Sequence, residues 1–154
     1  MTVQFALTRL GALDLDRAAA LHAESFVALG ERAWSRQDIA ELLASGACGF
    51  LLQADGHDAG LALCRIAADE AELLTIAVRP AHRRQGGGRR LLLAVIDHVR
   101  AAGARSLFLE VGVDNPAARR LYESRGFAAV GSRPGYYQRG ASLAADGLVM
   151  RLAK

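Results

Sequence analysis

Between residues 73 and 99 the chain changes character twice within a short span. Leu73, Leu74, Thr75, Ile76, Ala77 and Val78 form a β-rich apolar run that ends at Arg79-Pro80. Arg83, Arg84, Gln85, Gly86, Gly87, Gly88, Arg89 and Arg90 follow, and then Leu91, Leu92, Val95, Ile96 and Val99 recur along one helical face. A strand, a glycine loop and a helix in this order predict a right-handed crossover, with the β-rich stretch at 106–113 beyond Gly103 as the parallel partner. Unpaired N–H groups and the positive end of the helix dipole meet at such a junction, where glycines let a ligand come close, so it favours an anion. Arg89 and Arg90 in the first helical turn oppose that dipole, at a cost of roughly 0.3–1 kcal/mol in exposed cases, and a bound polyanion would reverse the penalty.

The rest of the chain reads as mixed α/β. A first strand is expected at 3–8 and a helix at 14–26, with Leu15, Ala18, Ala19, Leu21 and Ala23 as its apolar stripe. Ser35, with Asp38 three positions on, is an N-cap signal for a helix through 43 that stops near Gly46. Strands at 49–54 and 59–67 are joined across Asp55-Gly56-His57-Asp58, a hairpin signal. Asn115-Pro116 is an N-cap followed by proline at the first helical position, and Gly126 closes that helix. Closing strands are expected at 127–131 and 148–152, with Tyr136 and Tyr137 in the connection between them. With 154 residues, 52% of them apolar, and no repeat or linker, the expectation is one α/β domain over 1–154.

Several function classes drop out. No apolar run approaches the roughly 20 residues that cross a bilayer, and the first ten residues lack a basic segment followed by an apolar one, so a cytoplasmic protein with no membrane partner is expected. Cys48 and Cys64 lie in separate apolar stretches and are expected to be buried free thiols. His22, His57, His82 and His98 show no ligand spacing, so no metal is expected. The loop matches neither GxxxxGK[ST] nor GxGxxG. No aromatics interleave its arginines as stacking platforms for bases would, so direct nucleic-acid binding is not expected. Seen alone, the loop also fits an ordinary turn with solvated arginines.

The pattern Arg83-x-x-Gly86-x-Gly88, with the strand Leu73 to Val78 before it, resembles the acyl-CoA pyrophosphate motif of the GNAT superfamily of N-acetyltransferases. Leu109-Glu110-Val111 and Leu121-Tyr122-Glu123-Ser124-x-Gly126-Phe127 are similar to the ribosomal-protein-alanine branch of that family. The resemblance implies a mixed, mostly antiparallel sheet with a parallel strand pair around the acyl-CoA site, flanked by about four helices. It implies acetyl-CoA as cosubstrate, held by the main chain of Ile76, Ala77 and Val78, by Arg83, Arg84, Gln85, Gly86, Gly87, Gly88 and Arg89, and by Asn115.

Acetyl transfer to an amine needs a base for the ammonium, a donor for the developing oxyanion and an acid for the departing thiolate. The resemblance places the base at Glu110 and the acid at Tyr122, and a main-chain N–H at Val78 would serve the oxyanion. Taken singly, Glu110 fits a solvated strand face and Tyr122 a packed helix aromatic. A covalent route through Cys64 lacks a nearby histidine in the sequence. Trp34 and Tyr137 are candidate acceptor contacts, in segments where this chain departs from the family. The family-implied acceptor is the α-amine of a protein N-terminus, an alanine on a small-subunit ribosomal protein. A small-molecule amine or lysine acetyltransferase, or a silent acyl-CoA-binding or RNA-binding module, also fits the residues.

Overall fold

The computed structural model describes residues 2–26, 33–113, 115–139 and 143–153, with only the backbone described for 133–139 and 143–146. Its elements run β1 (Phe5–Arg9), α1 (Leu15–Phe26), α2 (Arg36–Ala44), β2 (Cys48–Ala54), β3 (His57–Ala67), β4 (Glu70–Val78), α3 (Gly87–Ala101), β5 (Ser106–Gly112), α4 (Pro116–Ser124), β6 (Ala128–Arg139) and β7 (Leu143–Ala153). The seven strands form one sheet in the order β1-β2-β3-β4-β5-β7-β6. Every neighbouring pair is antiparallel except β4 with β5, the pair that α3 connects. The mixed α/β architecture expected from the sequence is therefore the one observed.

Local chemistry sets the element ends. Ser35 Oγ accepts from Asp38 N at 3.1 Å while Asp38 Oδ2 accepts from Ser35 N at 2.8 Å, a reciprocal capping box for α2. Asn115 Oδ1 accepts from Ala118 N at 3.2 Å and caps α4 ahead of Pro116. Asp55 and Gly56, both at positive φ, make the two-residue hairpin turn between β2 and β3.

Each face of the sheet is covered by one helix pair. Leu91, Leu92, Val95, Ile96 and Val99 of α3 and Tyr122 of α4 pack with Leu107, Leu109 and Val111 of β5. On the other face, Leu15, Ala18 and Leu21 of α1 and Ile39 of α2 pack with Leu51, Leu61, Leu63 and Ala77.

The closing hairpin differs from expectation. β6 is 12 residues long and β7 is 11, so Tyr136 and Tyr137 lie within β6, where Tyr137 pairs with Ala145. Pro134 and Gly135 suggest a strand end in sequence, but here they fall in a register shift between Arg133 and Tyr137. β6 is an edge strand, where a missing N–H breaks no ladder.

The β3–β4 connection is also shorter than expected. Ala67 pairs with Glu70, leaving Ala68 and Asp69 as a two-residue turn with Ala68 at φ 58°. A Cβ in that region costs roughly 1–2 kcal/mol, which glycine escapes at an entropic cost of about 0.5–1 kcal/mol. Ala68→Gly is therefore expected to stabilise the fold by up to about 1 kcal/mol, read as a thermal midpoint higher by about 2–4 °C. A midpoint that stays put or falls would show the turn to be unstrained.

Candidate active site

The parallel pair is short. Glu70, Ala71 and Glu72 face Ser106, Leu107 and Phe108, and among the described residues no further rungs join β4 to β5. The parting coincides with a bulge. Leu63 pairs with Thr75 and Cys64 with Leu73, which leaves Leu74 as an extra residue on β4. A bulge bends and twists its strand, so β4 leaves β5 while keeping its ladder to β3 as far as Val78. β5 stays paired with β7 through Gly112. The result is a wedge between β4 and β5, with main-chain groups of β4 facing into it.

Which groups face the wedge follows from Gly60. A Cβ built there would lie 2.5 Å from Ala77 O, so that carbonyl points at β3. In a trans peptide the Val78 N–H points the opposite way, into the wedge, and no cis peptide is present. Alternation places the main-chain groups of Ile76 on the same side, while those of Ala77 serve the β3 ladder. Of the three expected main-chain contacts, Ile76 and Val78 face the wedge through their backbone and Ala77 does not. The Val78 carbonyl accepts from Arg83 Nε at 3.1 Å and Ser25 Oγ at 3.3 Å.

The three loop glycines do different jobs. Gly86 is the N-cap of α3 at φ 89°, a left-handed position. Gly87 is buried, and a Cβ there would come within 2.8 Å of Leu52. Gly88 faces Leu121 and Val78, whose side chains would lie 3.4 and 3.9 Å from an added Cβ. The start of α3, the end of β4 and α4 thus converge on bare backbone at the mouth of the wedge. Arg84, at φ 64°, Gln85 and Arg89 are exposed around it. Arg90 stands over the Phe5 ring at 5.6 Å, beside an open groove of about 570 Å³ that Gln85 and Arg89 also line. The first N–H groups of a helix have no partner within it, and with Arg84, Arg89 and Arg90 around them those of α3 suit a pyrophosphate.

Glu110 and Tyr122 lie on opposite sides of the sheet. Leu109 and Val111 belong to the α3/α4 core, so alternation turns the half-buried Glu110 toward the face that carries α1 and α2. Tyr122 is 5% exposed within the α3/α4 core, next to Leu121, and burial pushes its phenol above the ordinary range, keeping it protonated. Asn115 spends its side-chain oxygen on the α4 cap, leaving its amide nitrogen as the group to turn toward a ligand. Trp34 packs against the α1/α2 core. The Tyr137 side chain lies outside the described residues, as do residues 27–32 of the acceptor segment.

The residues 15–127 match the model of the acetyltransferase (GNAT) family. The chain belongs to the GNAT family of acetyltransferases. The ribosomal protein bS18-alanine N-acetyltransferase of Escherichia coli K12 is 40% identical over 104 residues, covering 68% of this chain and 70% of that one. The crystal structure of the ribosomal-protein-S18-alanine N-acetyltransferase from Escherichia coli superposes with a TM-score of 0.88 at 33% identity, over 97% of this chain and 94% of that one. A Salmonella typhimurium acetyltransferase fold, yncA, solved with its cofactor acetyl-CoA, has a TM-score of 0.80 at 21% identity, covering 97% and 93% of the two chains. The family resemblance in the sequence is borne out, and this GNAT protein is an acyltransferase.

Cys48 and Cys64 are free thiols in register across β2 and β3. Cys64 is buried as expected, and burial pushes its thiol up to about 11, which removes it as a nucleophile, while Cys48 is only half-buried. Among the described residues no cluster could hold a metal, and no helix is long and apolar enough to cross a membrane. His22 carries no metal spacing, yet it is 2% exposed, stacks on Phe26 and Trp34, and accepts from Trp34 N at 3.0 Å. The spacing of His22 and Phe26 on one helical face was the sequence signal for part of that cluster.

Burial lowers the His22 imidazole to about 4, against a smaller raising effect of Asp38. A depressed folded value means that stability is fully present above the unfolded value near 6.5 and is lost as pH falls toward about 4, where the folded imidazole charges. Over that window the protein is expected to lose about 3 kcal/mol through this group. Urea unfolding at pH 7 and pH 4.5, compared between the protein and His22→Phe, measures it: the pH-dependent loss should be smaller in the variant, and equal losses would remove His22 as the source.

Proposed function

We propose that this acetyltransferase acetylates the α-amine of a protein N-terminus in the cytoplasm, with an alanine on a small-subunit ribosomal protein as the acceptor. The observation that carries the reading is the placement of Glu110 and Tyr122 on opposite faces of the sheet beside the β4/β5 wedge, supported by the identity to bS18-alanine N-acetyltransferases. A base facing α1 and α2 and an acid facing α3 and α4 suit a reaction in which the amine enters from one face and the thiolate leaves on the other.

Acetyl-CoA supplies the activated acyl group and a thiolate leaving group. The main chain of Ile76 and Val78, the loop from Arg83 through Arg89 and the Asn115 amide would hold it. Glu110 removes a proton from the ammonium, directly or through water, so that nitrogen attacks with a free pair. The Val78 N–H faces the negative charge that develops on the acyl oxygen. The Tyr122 hydroxyl, kept protonated by burial, donates to the departing sulfur. No side-chain nucleophile is needed.

Tyr122→Phe keeps the ring and removes the hydroxyl. Turnover is expected to fall by about 10²–10⁴ with the KM for acetyl-CoA little changed. Turnover equal to that of the unaltered protein would return Tyr122 to a packing role.

The choice of an α-amine rests on its pKa of about 7.7–8.0 against about 10.4 for lysine, so near neutrality far more of it is already nucleophilic. Glu110→Gln should lose most activity at pH 7 and regain part of it at pH 9, where solvent has removed the proton. Mass spectrometry of a peptide beginning with Ala should place the acetyl group on the terminus. Efficient acetylation of the same peptide with a blocked terminus and an internal lysine would overturn the acceptor assignment.

A further inference from the structure

Three rings meet where α1 ends and α2 is about to begin. The His22 imidazole stacks on Phe26 with centroids 4.3 Å apart and planes 20° apart, and on Trp34 at 4.7 Å and 11°. Two rings cannot share one face of an imidazole at those separations, so His22 lies between them. Its Nδ1 accepts the main-chain N–H of Trp34 at 3.0 Å, which requires that nitrogen to be unprotonated. Trp34 directly precedes Ser35, the N-cap of α2, so the imidazole ties the last turn of α1 to the start of α2.

The same turn of α1 is tied to the end of β4. Ser25 Oγ donates to the Val78 carbonyl at 3.3 Å, and Glu24 pairs with Arg79 at 2.7 Å. Trp34 and Leu74, the bulge residue, pack against one core cluster on the α1/α2 face, the face toward which Glu110 turns. The opposite face is occupied by α3 and α4, with Gly87 at the start of α3 set against Leu52.

We propose that His22 is a positioning residue for the acceptor: by stacking on the indole and bonding its main chain, it fixes Trp34 as a wall along which an extended peptide N-terminus reaches Glu110. This inference rests on the N-terminal acetyltransferase reading for the choice of face. His22 touches no reacting atom. It acts through Trp34, so its removal changes acceptor binding and leaves acetyl-CoA binding alone.

Trp34 is the only tryptophan of the chain, which makes its fluorescence a local reporter. A peptide beginning with Ala is titrated into the acetyltransferase saturated with coenzyme A, and Kd is read from Trp34 emission. In parallel, kcat and both KM values are measured by product formation. His22→Phe keeps a ring between Phe26 and Trp34 but cannot accept the N–H. Leaving the half-buried Trp34 N–H unpaired is expected to raise the peptide Kd and KM about tenfold, with the acetyl-CoA KM within about twofold. His22→Asn restores an acceptor atom and should recover part of the loss. In a Trp34→Ala background, His22→Phe should have no further effect on the peptide KM.

Additive effects of the two substitutions, equal rises in both KM values, or an unchanged peptide KM in a folded His22→Phe protein would each overturn the proposal. Should His22→Phe not fold, His22→Asn and Trp34→Ala carry the same comparison. Turnover of the peptide with no change in Trp34 emission sinks the role of Trp34 and leaves the acceptor reading standing. A Trp34 response without turnover does the reverse for the acceptor reading, and neither signal overturns both.

Discussion

The parting of β4 from β5 is the constraint on which the site depends. A parallel pair that continued to the ends of both strands would bond every inward-facing N–H and C=O to its neighbour, leaving nothing for a ligand. The extra residue at Leu74 ends the pairing after Glu72 and Phe108, yet β4 keeps its ladder to β3 and β5 keeps its ladder to β7. The sheet therefore stays continuous while one seam opens. Burying that many unpaired polar groups would be costly, so an opened seam of this kind belongs with water or a hydrogen-bonding ligand.

Around that seam the chemistry is divided by the sheet itself. Alternation on β5 sends leucines and valine into the α3/α4 core and Glu110 toward the other face, so one strand supplies both packing and a polar group. The proposed anion site needs no such alternation. It uses the start of α3, with Gly87 packed on Leu52 and Gly88 left bare toward the cleft. Arg90 over Phe5 is a local offset to the dipole penalty that its position at the helix start incurs.

The signals legible in sequence were those carried by neighbouring residues. Ser35 with Asp38, Asn115 before Pro116 and Asp55-Gly56 each close a local hydrogen-bonded ring, and each was readable from a few positions. The glycine loop and the amphipathic α3 fixed the parallel pair for the same reason. The Leu74 bulge was not legible, because a bulge is defined by what lies across the ladder and Leu73 to Val78 alternates plausibly without one. Ala68 in a two-residue turn carries no glycine to announce it. The length of β6 was hidden by Pro134 and Gly135, which read as a stop unless the strand is known to be an edge. His22 shows no ligand spacing in the sequence, and its partner Trp34 is 12 residues away and meets it only after the chain has turned.

The Val78 carbonyl is held twice, by Ser25 from α1 and by Arg83 from the loop. A carbonyl and the N–H of the same residue turn together in an extended strand, so these two bonds also fix the direction of the Val78 N–H. In the proposed mechanism the donor is thus aimed before any acyl group arrives, and little of the reorganisation that water would undergo is left for the reaction itself. This preorganisation comes partly from a helix residue that has no contact with the developing charge, so the electrostatics of the wedge can drift with changes at Ser25 while every group that meets the ligand is retained.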